Sequence, residues 1–184
     1  MVPMTTLWLP ILVSAVLVFI ASNILWMVLK FWHYKDYKRV PDDKVFVDAT
    51  RSLKAGMYVF PFVDWKTMTP EQKTDYATGP SGFMILRNPS VFSFGKTLPI
   101  YFLYCAFSAF CAAYIGHETL AAGTPYPRVF QITGAVGTFF WAFGTNISDA
   151  IWYGKPWPVA FKHVIDGLIY GCLIGGTFGW LWPK

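Results

Sequence analysis

Four ionisable side chains lie within or beside apolar segments near the C-terminal end of the chain: Asp149, Lys162, His163 and Asp166. Charge is costly to bury in lipid, so ionisable groups at membrane spans are functional candidates. His163 and Asp166 are three residues apart and share one face of a helix, while Asp149 precedes the turn that leads into it. An imidazole among carboxylates can bind a metal ion or relay protons, since histidine titrates near neutral pH.

The same positions have a structural interpretation, which we favour from the sequence. Asp166 lies 16 residues before Trp182, which is about 24 Å along a helix and therefore near the cytoplasmic boundary of a bilayer. A carboxylate at that depth pairs with Lys155 or Lys162, or complements the positive end of the helix dipole.

Other chemistry is poorly supported by the sequence. The three histidines lie near the ends of apolar segments, whereas haem ligands in a bundle face each other within the spans. There is no Gly-x-Ser-x-Gly, His-Glu-x-x-His or phosphate-binding motif, and no Cys-x-x-Cys pair. A lipid-processing enzyme would need a nucleophile or a phosphate-binding group beside the four residues, and neither is present. We therefore expect a non-enzymatic protein without cofactor or metal.

The composition is that of a membrane protein. The chain has 184 residues, of which 55% are hydrophobic and 14% are charged, against about 25% charged in soluble domains. Four stretches are long and apolar enough for spans of a ~30 Å hydrocarbon layer, namely 7–29, 97–116, 129–147 and 163–182. The predicted fold is an α-helical membrane protein with four transmembrane helices and a small cytoplasmic α/β cap between helices 1 and 2.

The cap is predicted over residues 32–96, between a first transmembrane segment at 1–31 and the remaining helices at 97–184. Two short strands, 57–62 and 83–87, should pair antiparallel. Thr69-Pro-Glu-Gln72 has the form of a capping box and should open a short helix. Pro41 is followed by two aspartates, which favour the positive end of a helix dipole. We therefore expect another helix to begin here, with Pro41 in its first turn.

The distribution of basic residues predicts the orientation. Eleven of the fifteen Lys and Arg residues lie between Lys30 and Lys96, beside the first two spans, so topology explains them better than nucleic-acid binding does. The cap should be cytoplasmic and both termini periplasmic.

Small residues recur every four positions on three of the predicted helices. Gly167, Gly171, Gly175 and Gly179 line the last helix, where each would cost roughly 0.5–1 kcal/mol in a soluble protein. In a membrane this spacing forms a groove that another helix backbone can enter. Cys105, Ala109 and Ala113 on the second helix are the predicted partner, and Gly134 begins a further small stripe on the third helix.

Several segments resemble one group of uncharacterised small bacterial multi-pass inner-membrane proteins. The resemblance rests on Asp149-Ala-Ile-Trp-Tyr-Gly-Lys-Pro-Trp157, Asp166-Gly-Leu-Ile-Tyr-Gly171 and Phe178-Gly-Trp-Leu-Trp-Pro183, with Gly56-Met-Tyr-Val-Phe-Pro61 and Gly79-Pro-Ser-Gly82 in the cap. It implies the bacterial inner membrane and supplies no catalytic residue.

Two functions follow as hypotheses. The first is a non-enzymatic membrane subunit or assembly protein that packs through its glycine-rich helix, in a homo-oligomer or a larger complex. The alternative is a small transporter or proton-conducting or ion-conducting protein that uses Asp149, His163 and Asp166. Both have the lipid bilayer as a partner.

Overall fold

The computed structural model describes residues 2–64, 66–88, 93–144 and 146–184. In chain order the elements are a 3₁₀ turn (Met4–Leu7), α1 (Trp8–Asn23), a π-helical turn (Ile24–Val28), α2 (Lys30–His33), α3 (Asp43–Thr50), β1 (Gly56–Phe60), α4 (Pro70–Thr78), β2 (Gly82–Leu86), α5 (Phe94–Thr119), α6 (Tyr126–Thr138), a second π-helical turn (Phe139–Phe143), α7 (Asn146–Trp152) and α8 (Trp157–Leu181). The chain forms two compact units. The helical unit comprises 1–37, 93–150 and 155–184, and the smaller unit comprises 38–92 with 151–154.

Three helical stretches among the described residues are long and apolar enough to cross a membrane: Met4–Val28, Phe94–Thr119 and Trp157–Leu181. They include the first, second and fourth predicted spans. The third predicted span, 129–147, is not among them, and its helix α6 carries Arg128 and Gln131 within its first two turns. The mostly helical fold with three candidate membrane-spanning helices and a small two-stranded sheet is confirmed. The fourth span stays a prediction.

Within the helical unit, α6 and the turn after it pack directly on the glycine face of α8. A side-chain carbon added at Gly167 would collide with Ala142, and one added at Gly171 would collide with Thr138 and Gly134. A carbon at Gly175 would collide with Phe130, and one at Gly179 with the Tyr126 ring. The missing side chains therefore allow two backbones to approach closely. The glycine face is covered by the same chain.

The small stripe on α5 has a different place. Cys105, Ala109 and Ala113 are fully buried, on a helix that packs mainly against α1 and α6. The predicted pairing of this stripe with the glycine groove is wrong, because α6 occupies the groove: a carbon at Gly134 would lie 3.2 Å from the carbonyl oxygen of Gly171.

The smaller unit contains the predicted strand pair. β1 and β2 are antiparallel, with Gly56 opposite Leu86 and Phe60 opposite Gly82, so the pairing is confirmed. Each strand begins one residue earlier than predicted, β1 ends two residues earlier and β2 ends one residue earlier. Thr69 opens α4 through the predicted capping box. At α3 the Asp42 carboxylate accepts from two backbone N–H groups and caps the helix. Pro41 consequently lies before the cap and not in the first turn.

Candidate functional site

The site in the helical unit is centred on His33, at the C-terminal end of α2. This residue is only 3% exposed. Its Nδ1 atom lies 2.7 Å from Oδ2 of Asp36, and its Nε2 atom lies 2.8 Å from Oδ2 of Asp166. One carboxylate follows the first span and the other belongs to α8. The imidazole therefore joins the end of the first span to the last span.

A break in the first helix positions this ring. The backbone N–H of Leu29 donates to the carbonyl of Ile24 at 2.9 Å, which makes a turn one residue wider than an α-helical turn. Leu29 then leaves the helical region, with ψ of 74°. Because a wide turn rotates all that follows it, such turns are frequent where a side chain must be re-aimed for function. Here the turn precedes Trp32 and His33.

Both oxygens of the Asp166 carboxylate have partners from α2. The indole Nε1 of Trp32 donates to Oδ1 at 2.7 Å, while Oδ2 faces His33. Asp166 is 3% exposed, and a carboxylate shielded from water is stable only when it is hydrogen-bonded or paired.

Lys162 of α8 also bonds to the segment that contains α2 and Asp36. Its ammonium donates to Oδ1 of Asp36 at 2.5 Å and to the backbone carbonyl of Trp32 at 2.6 Å. Burial raises the pKa of the Asp36 carboxyl, but hydrogen bonds from Lys162 and His33 and the charges of both outweigh it, so the pKa is lowered. Asp36 is therefore an anion at neutral pH. We call Trp32, His33, Asp36, Lys162 and Asp166 the charged cluster.

Aromatic rings enclose the charged cluster. The Trp26 indole stacks on the His33 imidazole, with ring centroids 3.9 Å apart and planes inclined by 10°. His163 lies beside them, its centroid 5.4 Å from each of the two rings. Rings in these positions keep water away and strengthen the electrostatic interactions inside.

The contacts of His33 restrict where protons reside. An ionised carboxylate only accepts hydrogen bonds, so pairing both ring nitrogens with ionised Asp36 and Asp166 requires an imidazolium. If the ring is neutral, one of the two contacts needs a protonated carboxyl group. With an imidazolium and the Lys162 ammonium, two positive charges balance two negative ones. Loss of one proton breaks that balance.

No protein-family model, curated protein or solved structure matches this chain.

The predicted site residues are brought together only in part. Lys162 and Asp166 belong to the charged cluster and His163 lies next to it. Asp149 contributes no hydrogen bond to the cluster among the described contacts. Its backbone carbonyl accepts from the N–H of Lys155 at 3.2 Å.

Lys155 lies at the edge of the site. Its ammonium donates to the side-chain oxygen of Asn146 at 2.8 Å. Burial lowers its pKa, against the opposing charges of Asp149 and Asp36. It also adds positive potential at His163. Asp149 therefore acts on Lys155 through its charge and is not bonded to the charged cluster among the described contacts.

Sequence reasoning missed the half of the site that comes from the first span. His33 and Asp36 stand among the basic residues that follow the first span, and neither was predicted as a site residue. Their separation of three residues is the same as that of His163 and Asp166, which places two side chains on one helix face. That spacing was the available signal.

Among the described residues, no group of three or more His, Cys, Asp and Glu side chains is arranged to hold a metal ion. The nitrogens of His33 are both directed at carboxylates, so the ring has no free lone pair for a metal.

A buried hydroxyl extends the polar region into the helical unit. Tyr170 lies one turn beyond Asp166 on α8, is 3% exposed, and its hydroxyl has no hydrogen-bond partner. The Trp141 ring packs edge-on against Tyr170, with centroids 5.2 Å apart.

Proposed function

We propose that this chain is a small integral membrane protein that binds and transfers protons at the charged cluster, as a transporter or proton-conducting protein. The observation that carries the proposal is the buried His33 imidazole between Asp36 and Asp166. Histidine is the side chain whose ordinary titration falls in the physiological range.

In this proposal the protonation state of His33 is coupled to the contact between α2 and α8. A proton leaving Nε2 of His33 removes the donor to Asp166, so the contact between α2 and α8 must weaken unless a carboxyl group takes up the proton. Lys162, His163 and Lys155 are the other titratable groups that act on the site. A site whose contacts differ between two protonation states can bias two conformations.

Connectivity supports four spans for this protein. His33 follows the first span and Asp166 lies early in α8, and because they touch, these helix ends must lie on the same side of the membrane. α5 starts after residue 92 and carries the chain to the other side, where His117 contacts the carbonyl of Val2. The chain must then return before α8, and α6 with its π-helical turn is the segment available to do so.

The proposed orientation follows from the basic residues. With the cap in the cytoplasm, both termini are periplasmic and the charged cluster lies at the cytoplasmic ends of the first and last spans. The resemblance to bacterial proteins favours the inner membrane. In this arrangement the cluster exchanges protons with the cytoplasm.

Proton flux into proteoliposomes tests the function. We expect a pyranine-detected pH change under a potassium diffusion potential for the native protein, and at least a roughly tenfold lower rate for Asp166→Asn, because the amide cannot carry the exchanged proton. Asp43→Asn is the matched control, since that carboxylate forms an exposed ion pair with Arg39 and belongs to the smaller unit. Equal rates for native protein, both variants and empty liposomes would contradict proton transfer.

A second candidate is a non-enzymatic membrane subunit in which the cluster only fastens two spans together. The balance of charges within the cluster favours it, because every cation there has an anionic partner. Its glycine face is already covered by α6, so assembly with other copies or a larger complex would use another surface. Absent flux together with a destabilised Asp166→Asn protein would favour this candidate, and native mass spectrometry at low detergent would then identify the assembly.

A further inference from the structure

One face of the two-stranded sheet is apolar and, among the described residues, only partly covered. Met57 pairs with Ile85 and Val59 pairs with Phe83 across the strands. Because side chains alternate along a strand, these four lie on the same face. Met57 is 72% exposed, Ile85 70%, Val59 37% and Phe83 49%. Aqueous exposure of two consecutive apolar pairs is unfavourable, so such a face marks an interaction surface.

The sheet face is tied to a residue that stands close to a membrane span. The ring of Tyr153 packs edge-on against Phe83, with centroids 4.8 Å apart. Tyr153 precedes the first residue of α8, Trp157, by four positions, and four residues extend over at most about 14 Å. Trp152 beside it is 75% exposed, and Trp and Tyr concentrate at the depth of lipid headgroups.

Basic residues stand at one end of the face. Lys54 precedes β1 by two positions and Arg87 follows β2 directly, and both are exposed. Since Gly56 is opposite Leu86, the two basic residues flank the same end of the sheet. An apolar face with cations at its rim matches a leaflet with anionic headgroups.

We propose that the sheet face of Met57, Val59, Phe83 and Ile85 contacts the lipid surface of the membrane that the long helices span, with Lys54 and Arg87 at anionic headgroups. The occupant is lipid and not a second protein, because chain continuity holds Tyr153 near the bilayer and the rim charges complement phosphate. This surface goes beyond proton transfer and does not depend on it.

Fluorescence in lipid nanodiscs tests the proposal on the full chain. Cys111 and Cys172 are replaced by Ala, while Cys105 stays because it is fully buried. An environment-sensitive nitrobenzoxadiazole label is attached at Ile85→Cys, and in a second protein at Met57→Cys. The matched control carries the label at Lys73→Cys, an exposed position on α4.

In bilayers that contain phosphatidylglycerol, we expect both sheet labels to show blue-shifted emission and roughly twofold or greater quenching by lipids with doxyl-labelled chains. The label at Lys73→Cys should show neither effect. Replacing both Lys54 and Arg87 with Glu should lower the quenching toward its value in zwitterionic bilayers.

Two results would overturn the proposal. Emission from the sheet labels like that of the control would mean that the face lies in water. Blue-shifted emission without lipid quenching would mean that protein covers the face, either this chain or a second copy. Neither result bears on proton flux.

Discussion

At the scale of single residues, the informative fact is that His33 has a carboxylate on each nitrogen. One carboxylate comes from its own segment and the other from α8. Removing one member of a buried charged set leaves its partner without compensation, which costs about 3–5 kcal/mol. Single substitutions at the cluster therefore need a stability measurement beside any functional one.

Acid should destabilise the protein partly through Asp36. The pKa of this carboxyl is lowered in the folded protein from its ordinary value of 3.8, so its ionised form stabilises the fold above that value. The contribution is lost as the pH falls through the lower folded pKa. We expect the melting temperature in mild detergent to fall as the pH is lowered through 3.8 and below, and to fall less in Asp36→Asn.

At neutral pH the Asp36→Asn protein should itself be less stable by about 1.5–3 kcal/mol, because Lys162 and His33 lose a charged acceptor. The loss is smaller than for complete removal of the group, since the amide oxygen still accepts a hydrogen bond. Asp43→Asn serves again as the exposed control. If Asp36→Asn and the native protein responded to acid identically, the Asp36 contacts would not contribute to stability.

At the scale of elements, close approach of α6 and α8 depends on which α8 positions lack a side chain. A carbon at Gly171 would meet the Thr138 side chain and would lie 2.7 Å from the carbonyl oxygen of Gly134. A carbon at Gly176 would meet only the Tyr126 hydroxyl, at the ordinary distance of 3.7 Å. The α6–α8 contact therefore leaves no room for a side chain at Gly171, whereas Gly176, five residues further along α8, has room for one.

We expect Gly171→Ala to destabilise the protein by about 1–3 kcal/mol, because the added carbon overpacks the helix contact. Gly176→Ala should be neutral or stabilising by up to about 1 kcal/mol, since alanine favours helix. Melting in detergent, where 1 kcal/mol corresponds to about 2–4 °C, measures both. Equal melting temperatures would show that the contact tolerates a methyl group.

At the scale of the whole molecule, the ends of the helices restrict the topology. The Trp182 indole donates to the carbonyl of Ala121 at 2.9 Å, and the N–H of Gly123 donates to the carbonyl of Pro183 at 2.9 Å. The C-terminus thus lies beside the turn between α5 and α6. The charged cluster lies at the other end of α8.

A reporter enzyme active only in the periplasm should be active when fused after Lys184. Four spans place the C-terminus on the same side as the α5–α6 turn, whereas three spans would place it on the opposite side. A fusion at Lys73 is expected to be inactive and a fusion at Ala122 active, which calibrates the readout. An inactive Lys184 fusion with those controls in order would exclude the four-span arrangement.

Local features were determined by the sequence alone. The apolar lengths of 7–29, 97–116 and 163–182 identify span-length helices, since hydrocarbon thickness sets the number of apolar residues needed. The strand pair and the Thr69 capping box were likewise predictable, because each depends on residues close together along the chain.

Only the tertiary structure decided which residues form the site and which helix fills the glycine groove. His33 and Asp166 are 133 residues apart, and no local pattern encodes that they meet. The π-helical turn after α1, which is one residue wider than an α-helical turn, also lies between the first span and His33. Likewise, several helices carry small residues at the same spacing, so spacing identifies surfaces able to pack closely, and only the assembled fold selects α6 for α8.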